Sequence, residues 1–225
     1  MPADLQQSGK GNALDRGLIP PYIVLRDFLD EETVAELLDY TISHQSDFAP
    51  TRIFVPTTVS HNPNSDTPYR VSIGFRNLGK FRKIFQTKIL DLVPRFVTEM
   101  RATPVEEPKF ETELVAHGDG AFYKRHIDTA TAGYQDTELI RVLSGVYYFN
   151  TEPKAFTGGA LRLHAIGGKE AKNFVDIAPL RNSLLVFLAW APHEVLPVSC
   201  PSKRFVDSRF AVNCWVHGKK PGSSA

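Results

Sequence analysis

The sequence predicts an all-β core with flanking helices, arranged as a double-stranded β-helix, or jelly roll, with N-terminal helices packed on one of its sheets. Three observations carry that prediction. A first stretch shows helical spacing of apolar residues. After Pro108 the pattern changes to short strand-like segments separated by turn residues. The composition, 42% hydrophobic and 23% charged with 15 Gly and 16 Pro in 225 residues, is that of a turn-rich globular chain.

Order is expected from Tyr22-Ile23-Val24-Leu25 onward. A first helix follows Asp30, an N-cap residue. Leu29 and Val34 are placed for a hydrophobic staple, and Val34, Leu37, Leu38 and Ile42 share one stripe. A second helical pattern (Phe81, Ile84, Phe85, Ile89, Leu92, Val93, Phe96) runs toward Met100, and Pro94 is expected to kink or divide it. Lys80, Arg82, Lys83 and Lys88 read as its solvated face. Between the helices, residues 60–68 are rich in Asn, Pro, Ser and Asp and form a loop. Eight candidate strands then follow, over 110–116, 122–128, 140–150, 160–165, 174–178, 183–188, 193–198 and 210–216. That number and spacing suggest the cupin-like jelly roll. The expected organisation is a flexible tail over 1–17, one domain over 18–219 (helical support 18–108, jelly-roll core 109–217) and a second flexible tail over 220–225.

Composition also excludes functions. A net charge of +1 argues against a sequence-independent nucleic-acid footprint, and no apolar run approaches the length of a membrane span. Only Cys200 and Cys214 occur, which suits a reducing compartment, so the expected location is cytoplasmic.

The chemistry is concentrated at His126 and Asp128. In an extended segment residues i and i+2 face the same way, so an imidazole nitrogen and a carboxylate oxygen can reach one metal ion. His193, after a Pro-marked turn, is the candidate third ligand. Two histidines and one carboxylate with open positions form the facial triad of non-haem Fe(II) oxygenases. A lone His-x-Asp would equally describe a surface pair. Here the metal pair, long strand block, Gly-Gly strand, distal His and an Arg six residues before Trp215 occur in register. Of the seven histidines, His44, His61, His164 and His217 lack that context and read as structural or surface residues.

Several motifs resemble the prolyl 4-hydroxylase branch of the Fe(II)/2-oxoglutarate-dependent dioxygenases, in particular the oxygen-sensing prolyl hydroxylases and their bacterial relatives. They are Gly118-Asp119-Gly120 with Tyr123-Lys124-Arg125-His126-Ile127-Asp128, Val146-Tyr147-Tyr148-Phe149-Asn150, Gly158-Gly159-Ala160-Leu161-Arg162-Leu163, and Pro192-His193-Glu194-Val195 with Arg209 to Trp215. The resemblance spans about 114–217. It implies Fe(II), 2-oxoglutarate as cosubstrate and dioxygen, with ascorbate supporting activity. It also implies that an Arg pairs with the distal carboxylate of 2-oxoglutarate, a task its planar fork suits. Arg209 is the candidate, on a strand face shared with Ala211, Asn213 and Trp215, and Arg204 is the competitor. Tyr148 and Ser144 match positions that help hold the cosubstrate, Leu161 would wall it, and His117 stands where relatives often carry a Tyr near the metal. Asp128 favours hydroxylation, because halogenating relatives replace this carboxylate.

The implied reaction is hydroxylation of an unactivated C–H bond with release of succinate and CO2. The partner is a protein or peptide substrate, with a prolyl or other residue as target; a free amino acid or natural-product intermediate is the alternative. A jelly-roll metal-binding or sensing module without turnover is the third reading. Two segments are expected to read the substrate: a mobile lid over 129–138, and residues 52–70.

Overall fold

The computed structural model describes residues 17–51, 68–129, 139–167 and 173–219. Its first strand, β1 (Tyr22–Arg26), leads into helix α1 (Glu31–Ser43). Asp30 caps that helix by accepting a hydrogen bond from the Thr33 backbone N–H at 2.8 Å, a contact worth about 1 kcal/mol. Leu29 and Val34 are both buried in one cluster, as the staple requires. Three short strands follow, β2 (Ala49–Pro50), β3 (Arg70–Val71) and β4 (Ile73–Phe75).

Helix α2 (Phe81–Met100) runs on through Pro94, so of the two expected outcomes, a kink or a division, the helix is not divided. An interior proline costs about 3 kcal/mol. Phe85, Ile89, Val93, Phe96 and Met100 are buried along the same helix, each worth roughly 1.5–3 kcal/mol. Packing on both sides of Pro94 therefore outweighs the lost hydrogen bond. The helix ends where Arg101 turns left-handed, at φ 51°.

All eight expected strands form: β5 (Lys109–His117), β6 (Phe122–His126), β7 (Leu139–Phe149), β9 (Leu161–His164), β10 (Phe174–Ile177), β11 (Ser183–Leu188), β12 (His193–Val195) and β14 (Arg209–Lys219). The expected 193–198 strand is interrupted. Pro197 has no N–H to donate to a ladder, and beyond it β13 (Val198–Ser199) pairs with β8 (Thr157–Gly158). The major sheet has the order β1-β11-β7-β14-β5-β4-β2 and the minor sheet β10-β9-β12-β6-β3. Every pairing is antiparallel.

Alternation along the central strands assigns their faces. Tyr147 and Phe149 of β7, with Phe210, Val212, Cys214 and Val216 of β14, join α1 and α2 in the larger apolar cluster. Val146, Tyr148 and Ala211 face the other way, meeting Leu161, Leu163 and Ile177 of the minor sheet. The polar residues that share this inner face, Arg209, Asn213 and Trp215, therefore point between the sheets. No helix among the described residues is long and apolar enough to cross a membrane.

Candidate metal and cosubstrate site

The pairing of β12 with β6 sets His193 opposite His126. Strand β6 ends at His126, so Asp128 lies just past the strand rather than within it. Its backbone N–H is fixed instead by the Ala189 carbonyl at 2.8 Å. One ligand atom from each of His126, Asp128 and His193 lies within 4.8 Å of the others. His126 Nε2 is 3.7 Å from Asp128 Oδ1, and His193 Nε2 is 3.8 Å from Asp128 Oδ2.

Neighbouring groups orient all three residues. His126 Nδ1 donates to the Lys124 carbonyl at 2.8 Å and His193 Nδ1 to the Ala191 carbonyl at 2.9 Å. A carbonyl can only accept, so each proton sits on Nδ1 and each Nε2 lone pair is free for a metal. Asp128 Oδ2 accepts from Ser144 Oγ at 2.6 Å and from Trp215 Nε1 at 2.9 Å. Burial alone would raise the Asp128 carboxyl, but His193 and His126 beside it and these two donors hold it down to about 2. Burial, then His193, lowers His126 to about 3. Two imidazoles and one ionised carboxylate make a donor set that suits a divalent ion such as Fe(II).

Deeper between the sheets lies Arg209, 1% exposed. Its Nε donates to the Gly159 carbonyl at 2.8 Å, its Nη1 to His117 Nδ1 at 3.1 Å, and its guanidinium lies 4.8 Å from the Tyr148 ring centroid. Among the described residues no carboxylate pairs with it. Burial pulls its guanidinium below the usual range and pushes the Tyr148 hydroxyl up. Arg209 Nη2, the Tyr148 hydroxyl and His117 Nε2 are buried without a hydrogen-bond partner. An uncompensated buried cation costs several kcal/mol, so an anion bringing acceptors to these atoms fits the pocket. The distal carboxylate of 2-oxoglutarate is such a group. Gly159 explains the Gly-Gly motif: at φ +67° a Cβ there would stand 2.6 Å from Arg209 Cδ.

Triad, Arg209, His117 and Leu161 line one cavity of about 790 Å³. Ser144, expected at the cosubstrate, instead gives its hydroxyl to Asp128. Arg204 is a surface residue, its side chain 69% exposed and paired with Asp207 at 2.8 Å, whereas Arg209 lines the cavity. His44 packs between Tyr40 and Phe75, while His164 and His217 pair with Glu194 and Glu111. His61, residues 130–138 of the expected lid and residues 52–67 of the second substrate segment lie outside the described residues.

Sequence reasoning missed the supports of Asp128. The signal was present: Trp215 and Ser144 are register partners on β14 and β7, and both lie on inner faces. Replacing Trp215 with Phe and Ser144 with Ala together is expected to weaken Fe(II) binding by about 10–100-fold, the usual effect of losing such outer contacts. Metal titration of the folded double variant checks this; unchanged affinity would make the two contacts incidental.

A pH effect also follows. His117 is held well below the imidazole range by burial and then by Arg209 and Arg70, and His126 is lowered as well. In the metal-free protein the folded state excludes protons that the unfolded chain accepts below about pH 6.5. Stability is full above that pH and falls on acidification, by up to about 1.4 kcal/mol per pH unit for each histidine. Urea unfolding with a chelator at neutral and mildly acidic pH should show the loss; equal stability would contradict it.

Residues 112–217 match the family model described as the 2OG-Fe(II) oxygenase superfamily. An uncharacterized PKHD-type hydroxylase of Synechocystis sp. is 38% identical over 144 residues, covering 60% of this chain and 45% of the relative, so the chain spans less than half of that protein. A Pseudomonas putida prolyl-4-hydroxylase structure shares the fold with TM-score 0.59 at 22% identity, covering 88% of this chain and 93% of that one. A Trichoplax adhaerens prolyl hydroxylase, solved with a hypoxia inducible factor peptide fragment, gives 0.60 at 20% identity, covering 88% and 83%. These likenesses establish the jelly-roll fold.

Proposed function

We propose that the protein is an Fe(II)- and 2-oxoglutarate-dependent hydroxylase, converting an unactivated C–H bond, dioxygen and 2-oxoglutarate into C–OH, succinate and CO2. The observation that carries this reading is the buried Arg209, without a carboxylate partner among the described residues, in the same cavity as the His126, Asp128 and His193 triad. A metal-sensing module has no need of a carboxylate-binding cation there.

In this reading His126, Asp128 and His193 hold the iron, and Arg209, Tyr148 and His117 hold the distal carboxylate of 2-oxoglutarate. Iron and 2-oxoglutarate supply the oxidising power drawn from dioxygen, and ascorbate supports activity by keeping the iron reduced. The chain's own residues do the orienting. Lys124 and Ala191 fix the imidazole tautomers, and Ser144 and Trp215 hold one carboxylate oxygen of Asp128. Leu161 walls the pocket against water.

The fold shared with prolyl hydroxylases extends the proposal to a prolyl or other residue of a protein as target. A free amino acid or small natural product is the second reading. The charged side chains that line the cavity beside the triad and Arg209, among them Arg70, Glu111, Glu113 and Arg141, favour it. The activity is assigned to one unit over residues 18–219, acting in the cytoplasm without nucleic acid or membrane. Succinate release from 2-oxoglutarate under iron, ascorbate and oxygen, with mass spectrometry for the gain of one oxygen by candidate substrates, tests the proposal. Absence of any iron-dependent succinate would overturn it.

A further inference from the structure

The cavity also holds polar groups that neither the metal nor 2-oxoglutarate accounts for. Arg70, Glu113 and Asn213 all line it. Glu113 on β5 and Asn213 on β14 are direct register partners, and Arg70 reaches Glu113 from β3. The set adjoins the triad: the Arg70 guanidinium lies 4.9 Å from the Tyr123 ring centroid, and that ring stacks on His126 at 3.5 Å.

Each of the three has unused hydrogen-bonding capacity. Arg70 Nε is held by Ser72 Oγ at 2.7 Å, but Nη2 meets Glu113 Oε2 at only 3.4 Å. Four other arginines each have a tighter carboxylate partner: Arg141 with Glu111 at 2.7 Å, Arg162 with Asp176 at 2.7 Å, Arg181 with Glu31 at 2.6 Å and Arg204 with Asp207 at 2.8 Å. A charge-assisted bond of full strength is about 2.7–2.9 Å long, so the Arg70–Glu113 couple is loose. Its side chains are nonetheless 10% and 15% exposed, and buried charges paired this poorly are costly. The Asn213 carboxamide makes no hydrogen bond among the described residues. A cation, an anion and an amide beside one another, each under-bonded, complement a ligand that brings both an anion and a cation.

We propose, on the hydroxylase reading above, that these residues seat the head group of a free amino acid. Its carboxylate would lie on the unused part of the Arg70 fork and its ammonium on Glu113 and the Asn213 carboxamide oxygen, with the side chain directed toward the triad. A peptide residue lacks both charges and would leave Arg70 and Glu113 no better satisfied.

The test uses the full chain with Fe(II), ascorbate and oxygen, and a panel of the standard free amino acids beside their N-acetyl and carboxamide forms and a doubly blocked prolyl tripeptide. One or more free amino acids should stimulate succinate formation and gain an oxygen, and blocking either end should raise KM about tenfold or more. Arg70→Gln should raise KM for the free acid but not further for its carboxamide, and Glu113→Gln should do so for the free amine but not further for its N-acetyl form. That pairing of variant with blocked end is a pattern that general damage to the fold would not produce. Stimulation by the blocked tripeptide with none by free amino acids overturns the inference, as does an equal response of free and blocked forms. Slow iron-dependent succinate formation by the wild-type protein alone, with no amino acid adding to it, overturns the inference and leaves the hydroxylase reading standing. No succinate under any condition overturns both.

Discussion

Replacing Asp128 with alanine is expected to abolish both retention of Fe(II) and turnover. Asp128 is the one carboxylate of the cluster, and its oxygens stand 3.7 and 3.8 Å from His126 Nε2 and His193 Nε2. Without it two imidazoles remain, too few to hold a divalent ion against water, and Ser144 and Trp215 lose their acceptor. The loss in metal affinity should exceed about 100-fold, the upper end of what outer contacts alone contribute. Metal content after dialysis, beside succinate formation, gives the measurement. A variant that kept its iron and full activity would show that the cluster is not the metal site.

Arg209→Ala is expected to act on the other half of the site. A buried carboxylate would lose a charge-assisted partner, an effect of about 2–5 kcal/mol, or roughly 30-fold and upward in affinity for 2-oxoglutarate. Fe(II) binding should survive, because Arg209 touches Gly159, His117 and Tyr148 rather than the ligands. Arg204→Ala should leave 2-oxoglutarate affinity near that of the wild type, since that side chain is exposed and engaged by Asp207. The reverse pattern would transfer the role to Arg204.

The His126, Asp128 and His193 cluster, the buried Arg209 and the strand block were legible because each depends on local pattern. Period-two alternation put Arg209, Asn213 and Trp215 on one face, and the structure keeps them there, opposite the face of Phe210 and Val212 that packs on the helices. What local pattern could not supply was pairing across the fold. Ser144 is held by a carboxylate sixteen positions earlier and Trp215 by one eighty-seven positions earlier, distances over which spacing carries no information. Pro94 shows the same limit: its local penalty is real, but the burial that keeps the helix undivided comes from packing on the sheet. Strands β2, β3 and β4 are too short to leave a periodic signal, yet β3 brings Arg70 to the cavity.

The central claim is that iron and 2-oxoglutarate occupy one cavity, the metal on the triad and the distal carboxylate on Arg209. A 2-oxoglutarate held on Arg209 with its 2-oxoacid end on the metal would couple the two binding events, each raising the affinity for the other. Anaerobic calorimetric titration of the wild-type protein with 2-oxoglutarate, with and without Fe(II), measures the coupling directly. The account predicts binding about tenfold or more tighter with the metal present, and equal affinity in the two titrations, or no binding in either, would contradict it.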